Sequence, residues 1–142
     1  MNVQTYLHFD GRCEEALEFY RKALGAEIGM LLRYKDSPEP ASPGMVPMGW
    51  DSKVMHAEFR VGDSVVMASD DCTGKHAGYH GFQLSITVAN EDEAERRFAA
   101  LSAGGQVRMP LAKTFFSPRF GMLTDRYGVS WMVMVAPVQN AT

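Results

Sequence analysis

The stretch VQTYLHFDGRCEEALEFYRKALG, from Val3 to Gly25, contains the change of hydrophobic period that decides the fold. From Val3 to Phe9, apolar and polar side chains alternate, which is the period of two typical of a strand with unlike faces. From Glu14 to Leu24 the apolar residues recur at helical spacing instead, and Gly25 follows where a helix commonly ends. The stretch therefore predicts a strand followed by a helix that packs on a sheet.

The same order of elements occurs again in the second half of the chain. Apolar and polar side chains alternate again over residues 82–88. Asn90 and Glu93 have the spacing of a capping box at the start of a second helix, which is predicted to end before Gly104. Tyr20 matches Phe98 at an offset of 78 residues, and the preceding strands match at an offset of 79. An internal duplication explains this repetition most simply.

Further strands complete both halves. They are predicted at 27–34, 54–61, 64–69, 106–110, 120–124 and 129–135. The fold class is therefore α+β, with two tandem β-α-β-β-β modules at about 1–70 and 82–136 in a single domain over residues 1–142. Four prolines fall within residues 36–51, which predicts a long loop that serves as a lid, a partner contact or a disordered segment.

Composition excludes several classes of partner. The net charge is −3, and the basic residues are dispersed rather than clustered, so nucleic-acid binding is not expected. No apolar run approaches the roughly 20 residues that span a bilayer, and the start of the chain lacks the features of a signal peptide. Cys13 and Cys72 are isolated from each other in the sequence and are expected to be free thiols. We therefore expect a soluble, cytoplasmic protein.

Several motifs together resemble the PhnB-like family of the vicinal oxygen chelate superfamily, which comprises glyoxalases, bleomycin-resistance proteins and dioxygenases. The motifs are Tyr6–Gly11 running into Glu14–Tyr20, Val54–Ala57, Met67–Asp70, Arg119–Gly121 and Asp125–Met132. The resemblance implies eight strands in one curved mixed sheet, with the helices outside and a cavity inside that holds the active site. It also implies a homodimer.

Chelating members of this superfamily hold a divalent metal on the first, fourth, fifth and eighth strands. The resemblance places those positions at Gln4, Met67, Gln83 and Met132. Neutral amides and thioethers are poor ligands for the hard divalent ions that such enzymes use, so no metal is expected at these positions. The alternative is a metal held by His8, His56 and Glu58. His56 and Glu58 share one face of a strand, but they could equally form a solvated, locally hydrogen-bonded surface.

Two other chemistries find little support in the residues. The PhnB-like family has carried a demethylubiquinone methyltransferase label, yet the one glycine pair, Gly104-Gly105, follows a helix rather than a strand. The sequence contains no G-x-S-x-G motif for a nucleophilic serine. A helix N-terminus could lower the pKa of Cys13, but a structural role is the simpler interpretation.

The remaining candidate residues predict a small-molecule cavity. Its expected lining comprises Gln4, Tyr6, His8, Trp50, Met67, Gln83, Ser85, Phe115, Arg119, Trp131 and Met132. Such a lining suits a small planar or anionic ligand, although the phenylalanines could instead serve a dimer interface or the core. The leading hypothesis is a homodimer that binds a small molecule without a metal. The alternatives are a metal-dependent lyase, isomerase or dioxygenase with an altered site, and an interaction domain whose cavity is vestigial.

Overall fold

A computed structural model of the chain describes residues 1–38, 46–76 and 78–137. The chain divides into two compact units, a first unit of Met1–Ala77 and a second unit of Gly78–Thr142. The division falls inside the polar segment 70–81, where the sequence places the boundary between the modules. Each unit contains one β-α-β-β-β module, which confirms the α+β class and the two modules.

The first unit consists of a four-stranded sheet and one α-helix. Its elements are β1 (Tyr6–Phe9), α1 (Cys13–Leu24), β2 (Glu27–Arg33), β3 (Val54–Val61) and β4 (Ser64–Asp70). The strand order is β1-β4-β3-β2. β1 and β4 are parallel, whereas β4-β3 and β3-β2 are antiparallel. The parallel pair is possible because α1 and two strands intervene along the chain.

The second unit repeats this topology. Its elements are β5 (Leu84–Val88), α2 (Glu91–Ser102), β6 (Gln106–Ala112), β7 (Phe120–Thr124) and β8 (Ser130–Val135). The strand order is β5-β8-β7-β6, again with one parallel pair, β5-β8. The eight predicted strands are all present, and they form two four-stranded mixed sheets, one in each unit.

The strand ends differ from those predicted. β1 begins at Tyr6 rather than Val3, because its ladder with β4 begins at the Tyr6–Met67 pair and Val3 lies exposed in solvent. Between β2 and β3, a short 3-10 helix covers Tyr34–Asp36. Of the predicted loop at 36–51, residues 39–45 lie outside the described residues.

Each helix packs on one face of its own sheet. The Tyr20 ring of α1 stacks on Phe59 of β3, with ring centroids 5.5 Å apart. In the second unit, a Cβ added to Gly121 of β7 would lie only 2.7 Å from the Phe98 ring of α2. These contacts identify the helix-covered face of each sheet, and alternation along the strands then identifies the residues of the other face.

A buried aspartate and a capping asparagine satisfy backbone donors at the starts of the two helices. The Asp70 carboxylate accepts hydrogen bonds from the backbone N–H groups of Gly11, Cys13 and Val54. Asp70 thereby satisfies donors at the start of α1, where the N-cap residue Arg12 provides no side-chain bond. In the second unit, Asn90 caps α2 by accepting from the Glu93 N–H at 2.9 Å, as the sequence predicts.

Both α-helices contain 12 residues. Within the described ranges of the chain, no helix combines the length and the apolar character needed to cross a membrane.

Candidate functional site

The face of the first sheet that α1 does not cover carries a cluster of polar and titratable side chains. We call it the first helix-free face, and it comprises Tyr6, His8, His56, Glu58, Met67 and Ser69. Met67 of β4 is its centre, because Met67 pairs with Tyr6 of β1 on one side and with Glu58 of β3 on the other. Sheet register, rather than proximity in sequence, brings these residues together.

Tyr6 connects the two histidines of this face. Its ring stacks on the His8 ring with centroids 4.7 Å apart, and its hydroxyl lies 3.1 Å from His56 Nδ1 in a hydrogen bond. On the far side of the imidazole, His56 Nε2 lies 3.7 Å from a Glu58 carboxylate oxygen. A proton on Nε2 would therefore face the carboxylate and leave Nδ1 to accept from Tyr6. The cluster is a polar network rather than a set of independent surface residues.

Two features extend this network. Ser69 is buried, and its hydroxyl lies 3.4 Å from His8 Nδ1. Beside Glu58, a depression of about 240 Å³ is lined by residues of β2, β3 and β4 that include Gly29, Arg60 and Val65. It coincides with the register shift between Ile28 and Leu31 of β2, where Gly29 has no side chain to fill the space. The first helix-free face therefore continues into a concave surface.

The second helix-free face has a different chemistry. It comprises Gln83, Ser85, Thr87, Phe120, Met122, Met132 and Met134. Met132 of β8 pairs with Ser85 of β5 and with Met122 of β7. The Gln83 side-chain amide donates to the Met122 sulfur at 3.6 Å. At the register positions that carry His8, His56 and Glu58 on the first face, this face carries Thr87, Phe120 and Met122.

The four positions that the resemblance aligns with metal ligands lie in both units. Met67 belongs to the first helix-free face, and Gln4 lies exposed just before β1. Met132 and Gln83 belong to the second helix-free face. The strand residues among them thus point away from the helices.

Trp131 and Arg119 are placed differently from the prediction. Trp131 is only 2% exposed, and its indole N–H donates to the buried Asp125 carboxylate at 2.9 Å. The Arg119 guanidinium lies 3.7 Å from Glu95 and 3.9 Å from Glu91, both on α2. Alternation explains both corrections, since Trp131 and Arg119 each precede a residue of the second helix-free face and so lie toward the helix.

Trp50 and Phe115 lie outside the strands that form the helix-free faces. The Trp50 ring approaches Gly11 in the β1–α1 connection, where an added Cβ would be 3.5 Å from it. Phe115 is fully exposed, and its ring packs edge to face on Phe116, which packs in the same way on Phe120. An exposed aromatic ring of this kind suits a partner contact better than the lining of a cavity.

The donor groups do not fit a hard divalent metal. The aligned positions offer two neutral amides and two thioethers, and no carboxylate balances the charge of the ion. The alternative set is already engaged internally, because His56 bonds to Tyr6 and His8 approaches Ser69. In the part of the chain that the structure describes, no group of three or more His, Cys, Asp or Glu residues is arranged to hold a metal ion.

Cys13 has a structural role, in agreement with the simpler interpretation of its sequence position. Its side chain is fully buried at the start of α1. Burial, together with the nearby charges of Asp70 and Glu14, raises the pKa of the thiol far above its ordinary value. The effect of burial outweighs any lowering by the helix N-terminus, so Cys13 is a poor nucleophile.

Sequence reasoning did not identify Ser69 and Met122 as members of the two faces. Ser69 could have been found, because it lies two residues after Met67 on the same strand and so shares its face. Met122 has no comparable signal, since its neighbours Met132 and Gln83 lie on other elements and meet it only through strand pairing.

Comparisons with known proteins identify the family of this chain. Residues 1–134 match the family model described as 3-demethylubiquinone-9 3-methyltransferase. The protein YjdN of Escherichia coli (strain K12) is 34% identical over 144 residues, covering 98% of both chains. The crystal structure of PA1353 from Pseudomonas aeruginosa superimposes with a TM-score of 0.84 at 42% identity, covering 96% of this chain and 98% of that one.

A second solved structure, the PhnB protein from Bacillus cereus, superimposes with a TM-score of 0.78 at 31% identity and covers 96% of this chain and 100% of its own. The fold is shared more widely, because a glyoxalase/bleomycin resistance protein/dioxygenase domain from Frankia sp. EAN1pec gives a TM-score of 0.68 at 12% identity over 99% and 95% of the two chains. The chain thus belongs to the PhnB-like family, and it shares its fold with the glyoxalase/bleomycin resistance protein/dioxygenase domain.

Proposed function

We propose that this protein binds a small planar molecule on its first helix-free face, without a divalent metal. The observation that carries the proposal is the network of Tyr6, His8, His56 and Glu58, which presents stacked rings and hydrogen-bonding groups on a partly exposed face. Recognition sites for small molecules commonly combine apolar or aromatic walls with a few placed polar groups.

The chemistry of the face defines the ligand class. The stacked Tyr6 and His8 rings offer a flat surface to an aromatic ring. Glu58 offers a hydrogen-bond acceptor, and His56 lies beside it as a titratable group. The flexible thioether of Met67, which pairs with Glu58, can adapt to a ligand of irregular shape. A bicyclic aromatic compound with a phenol or amide group matches these features.

A methyltransferase activity, which the description of the family model suggests, is less well supported. A doubly wound methyltransferase places a glycine-rich turn between a strand and a helix to approach its cofactor. Here the β1–α1 connection contains the single glycine Gly11, and the pair Gly104-Gly105 lies between α2 and β6.

Thermal unfolding with and without ligands tests the proposal. We expect planar phenols from a small aromatic panel to raise the apparent Tm, because a ligand that binds only the native state stabilises it. Tyr6→Phe and His56→Ala should abolish the shift, whereas the control His80→Ala, a substitution of an exposed histidine in the second unit, should leave it intact. A shift that survives Tyr6→Phe and His56→Ala would contradict the proposal.

The metal-dependent alternative is tested on the same protein, purified without chelators. Stoichiometric Mn, Fe, Ni or Zn that is lost on His56→Ala or Glu58→Ala would show that an enzyme with an altered metal site is the correct function. The proposal expects substoichiometric metal and no change of Tm on addition of divalent ions.

We also propose that the protein is a cytoplasmic homodimer. The exposed Phe115, packed on Phe116, supports an association surface, and the free thiols Cys13 and Cys72 suit a reducing compartment. Sedimentation analysis of the wild-type protein and of Phe115→Ser would test the dimer, since loss of this ring should weaken association. A monomeric wild-type protein would refute it.

A further inference from the structure

We propose that three methionines of the second sheet, Met109, Met122 and Met132, bind a soft monovalent cation, Cu(I) or Ag(I), through their thioether sulfurs. We call this set the methionine row. The proposal concerns a different sheet from the proposed small-molecule site and is independent of it.

The register of the sheet places the three residues in one line across three strands. Met122 of β7 pairs with Met132 of β8 on one side and with Met109 of β6 on the other. In a regular pair such as Met122–Met132, side chains directly opposite each other have Cβ atoms about 4.5–5.5 Å apart. Met109 lies between two register shifts of β6, so its pairing with Met122 is less regular. Methionine is unbranched and flexible, so the two outer sulfurs can turn toward the central one and converge on a single ion.

The row is accessible from solvent. Met109 is 42% exposed, and Met122 and Met132 are partly exposed. Their strand neighbours Leu123, Trp131 and Val133 are buried against α2 instead. A polar group already reaches the central sulfur, because the Gln83 amide donates to the Met122 sulfur at 3.6 Å. A cation bound to this sulfur would use its second lone pair or displace the Gln83 amide.

The donor set selects the type of ion. Thioether sulfur is a soft, neutral ligand that favours Cu(I)-type ions over Mg, Mn or Zn. Among the described residues that pair directly with the row, Ser85 adds a hydroxyl and none adds a carboxylate. Three neutral sulfurs suit a single positive charge, and Met134, two residues beyond Met132 on the same strand, offers a fourth sulfur. Hard divalent ions require several oxygen ligands, which the methionine row does not provide.

Silver titration of the full-length protein tests the proposal directly. Ag(I) is a redox-inert probe for Cu(I), and the thiol of Cys72 would compete for it, so Cys72→Ser is the background for every measurement. With methionine methyl groups labelled with ¹³C, one equivalent of Ag(I) should shift the signals of Met109, Met122 and Met132. The exposed methionines Met30 and Met48 lie outside the row and should not shift.

Variants give the second arm of the test. Met122→Leu keeps the apolar volume and should weaken Ag(I) binding by about tenfold or more, because it removes the sulfur that both neighbours share. Met30→Leu, also on a strand, is the matched control and should bind Ag(I) as before. Met132→Leu serves as a second variant if Met122→Leu alters the fold.

Two results would overturn the proposal. One is an equal shift of all exposed methionine methyl signals, which would show that the row merely forms an apolar surface with nonspecific silver contacts. The other is an Ag(I) affinity that Met122→Leu and Met132→Leu leave unchanged.

Discussion

The two units share one topology but differ in the chemistry of their helix-free faces. In both units, the first and last strands of the module pair in parallel, and a methionine lies at the matching register position, Met67 opposite Tyr6 and Met132 opposite Ser85. The next strand contributes Glu58 in the first unit and Met122 in the second. The same framework of strands thus carries a titratable set in one unit and a thioether set in the other.

This difference indicates which residues determine the fold. The helix-covered faces are apolar in both units, as in Ala57 and Phe59 or Leu123 and Val133. Burial of such side chains supplies the main stabilisation, and the helix-free faces contribute less to it. The helix-free faces can therefore diverge in chemistry after a duplication while the topology is retained.

The largest expected effect concerns the buried aspartates. Asp70→Ala should lower the free energy of unfolding by about 4 kcal/mol, because it leaves the buried N–H groups of Cys13 and Val54 and the part-buried N–H of Gly11 unsatisfied. Asp125→Ala should cost less, about 3 kcal/mol, since two of its three bonds, from Tyr127 and Val129, lie within a local turn and the third comes from the Trp131 indole. Urea unfolding of both variants measures the difference, and a larger loss for Asp125→Ala would reverse this ranking.

The second expected effect concerns Gly105 of the second unit, which lies against backbone atoms of Thr124 and Asp125. Gly105→Ala should cost about 3 kcal/mol, because overpacking against rigid backbone cannot relax. The added Cβ would lie 2.2 Å from the Thr124 carbonyl oxygen. In the first unit, Gly29→Ala is the control, since its nearest contact would be an ordinary 3.7 Å. Thermal unfolding should separate the two variants, and equal Tm values would contradict the prediction.

The third expected effect is a pH dependence that arises in the first unit. Burial raises the pKa of the Cys13 thiol, so above its ordinary value of 9.0 the unfolded chain releases this proton while the folded chain keeps it. The contribution of Cys13 to the free energy of unfolding is therefore fully present below about pH 9. At higher pH the free energy of unfolding falls, with a slope approaching about 1.4 kcal/mol per pH unit.

Urea unfolding between pH 7 and 10.5 measures this slope, and Cys13→Ala should flatten it. In native protein, Ellman's reagent should react with Cys72, which is partly exposed, and should reach Cys13 only after unfolding. Rapid reaction of both thiols in the folded protein would contradict the assignment of Cys13 to the core.

The smallest expected effect distinguishes the starts of the two helices. Asn90→Ala should cost about 1 kcal/mol, since it removes the side-chain cap of α2. Arg12→Ala at the start of α1 should change stability by less than about 0.5 kcal/mol, because the ion pair between Arg12 and Glu15 is exposed to solvent. Thermal unfolding of the two variants checks this contrast, and a larger loss for Arg12→Ala would show that Asp70 does not replace the missing cap.

The sequence alone determined the class of fold, the repetition of the module and the start of α2 at Asn90. These features depend on local periodicity and on capping, which a single stretch of chain contains in full. The free thiols and the poor donor set at Met67 and Met132 also follow from residue type alone.

The tertiary structure alone decided which side chains meet. The Tyr6–His56 bond joins residues 50 positions apart, and strand pairing places the three methionines of the row opposite one another on three strands. The tertiary structure also shows that Trp131 and Arg119 lie toward α2. A shift of one residue along a strand moves a side chain to the opposite face. Strand register is set by long-range pairing and by bulges, and local patterns in the sequence do not encode it.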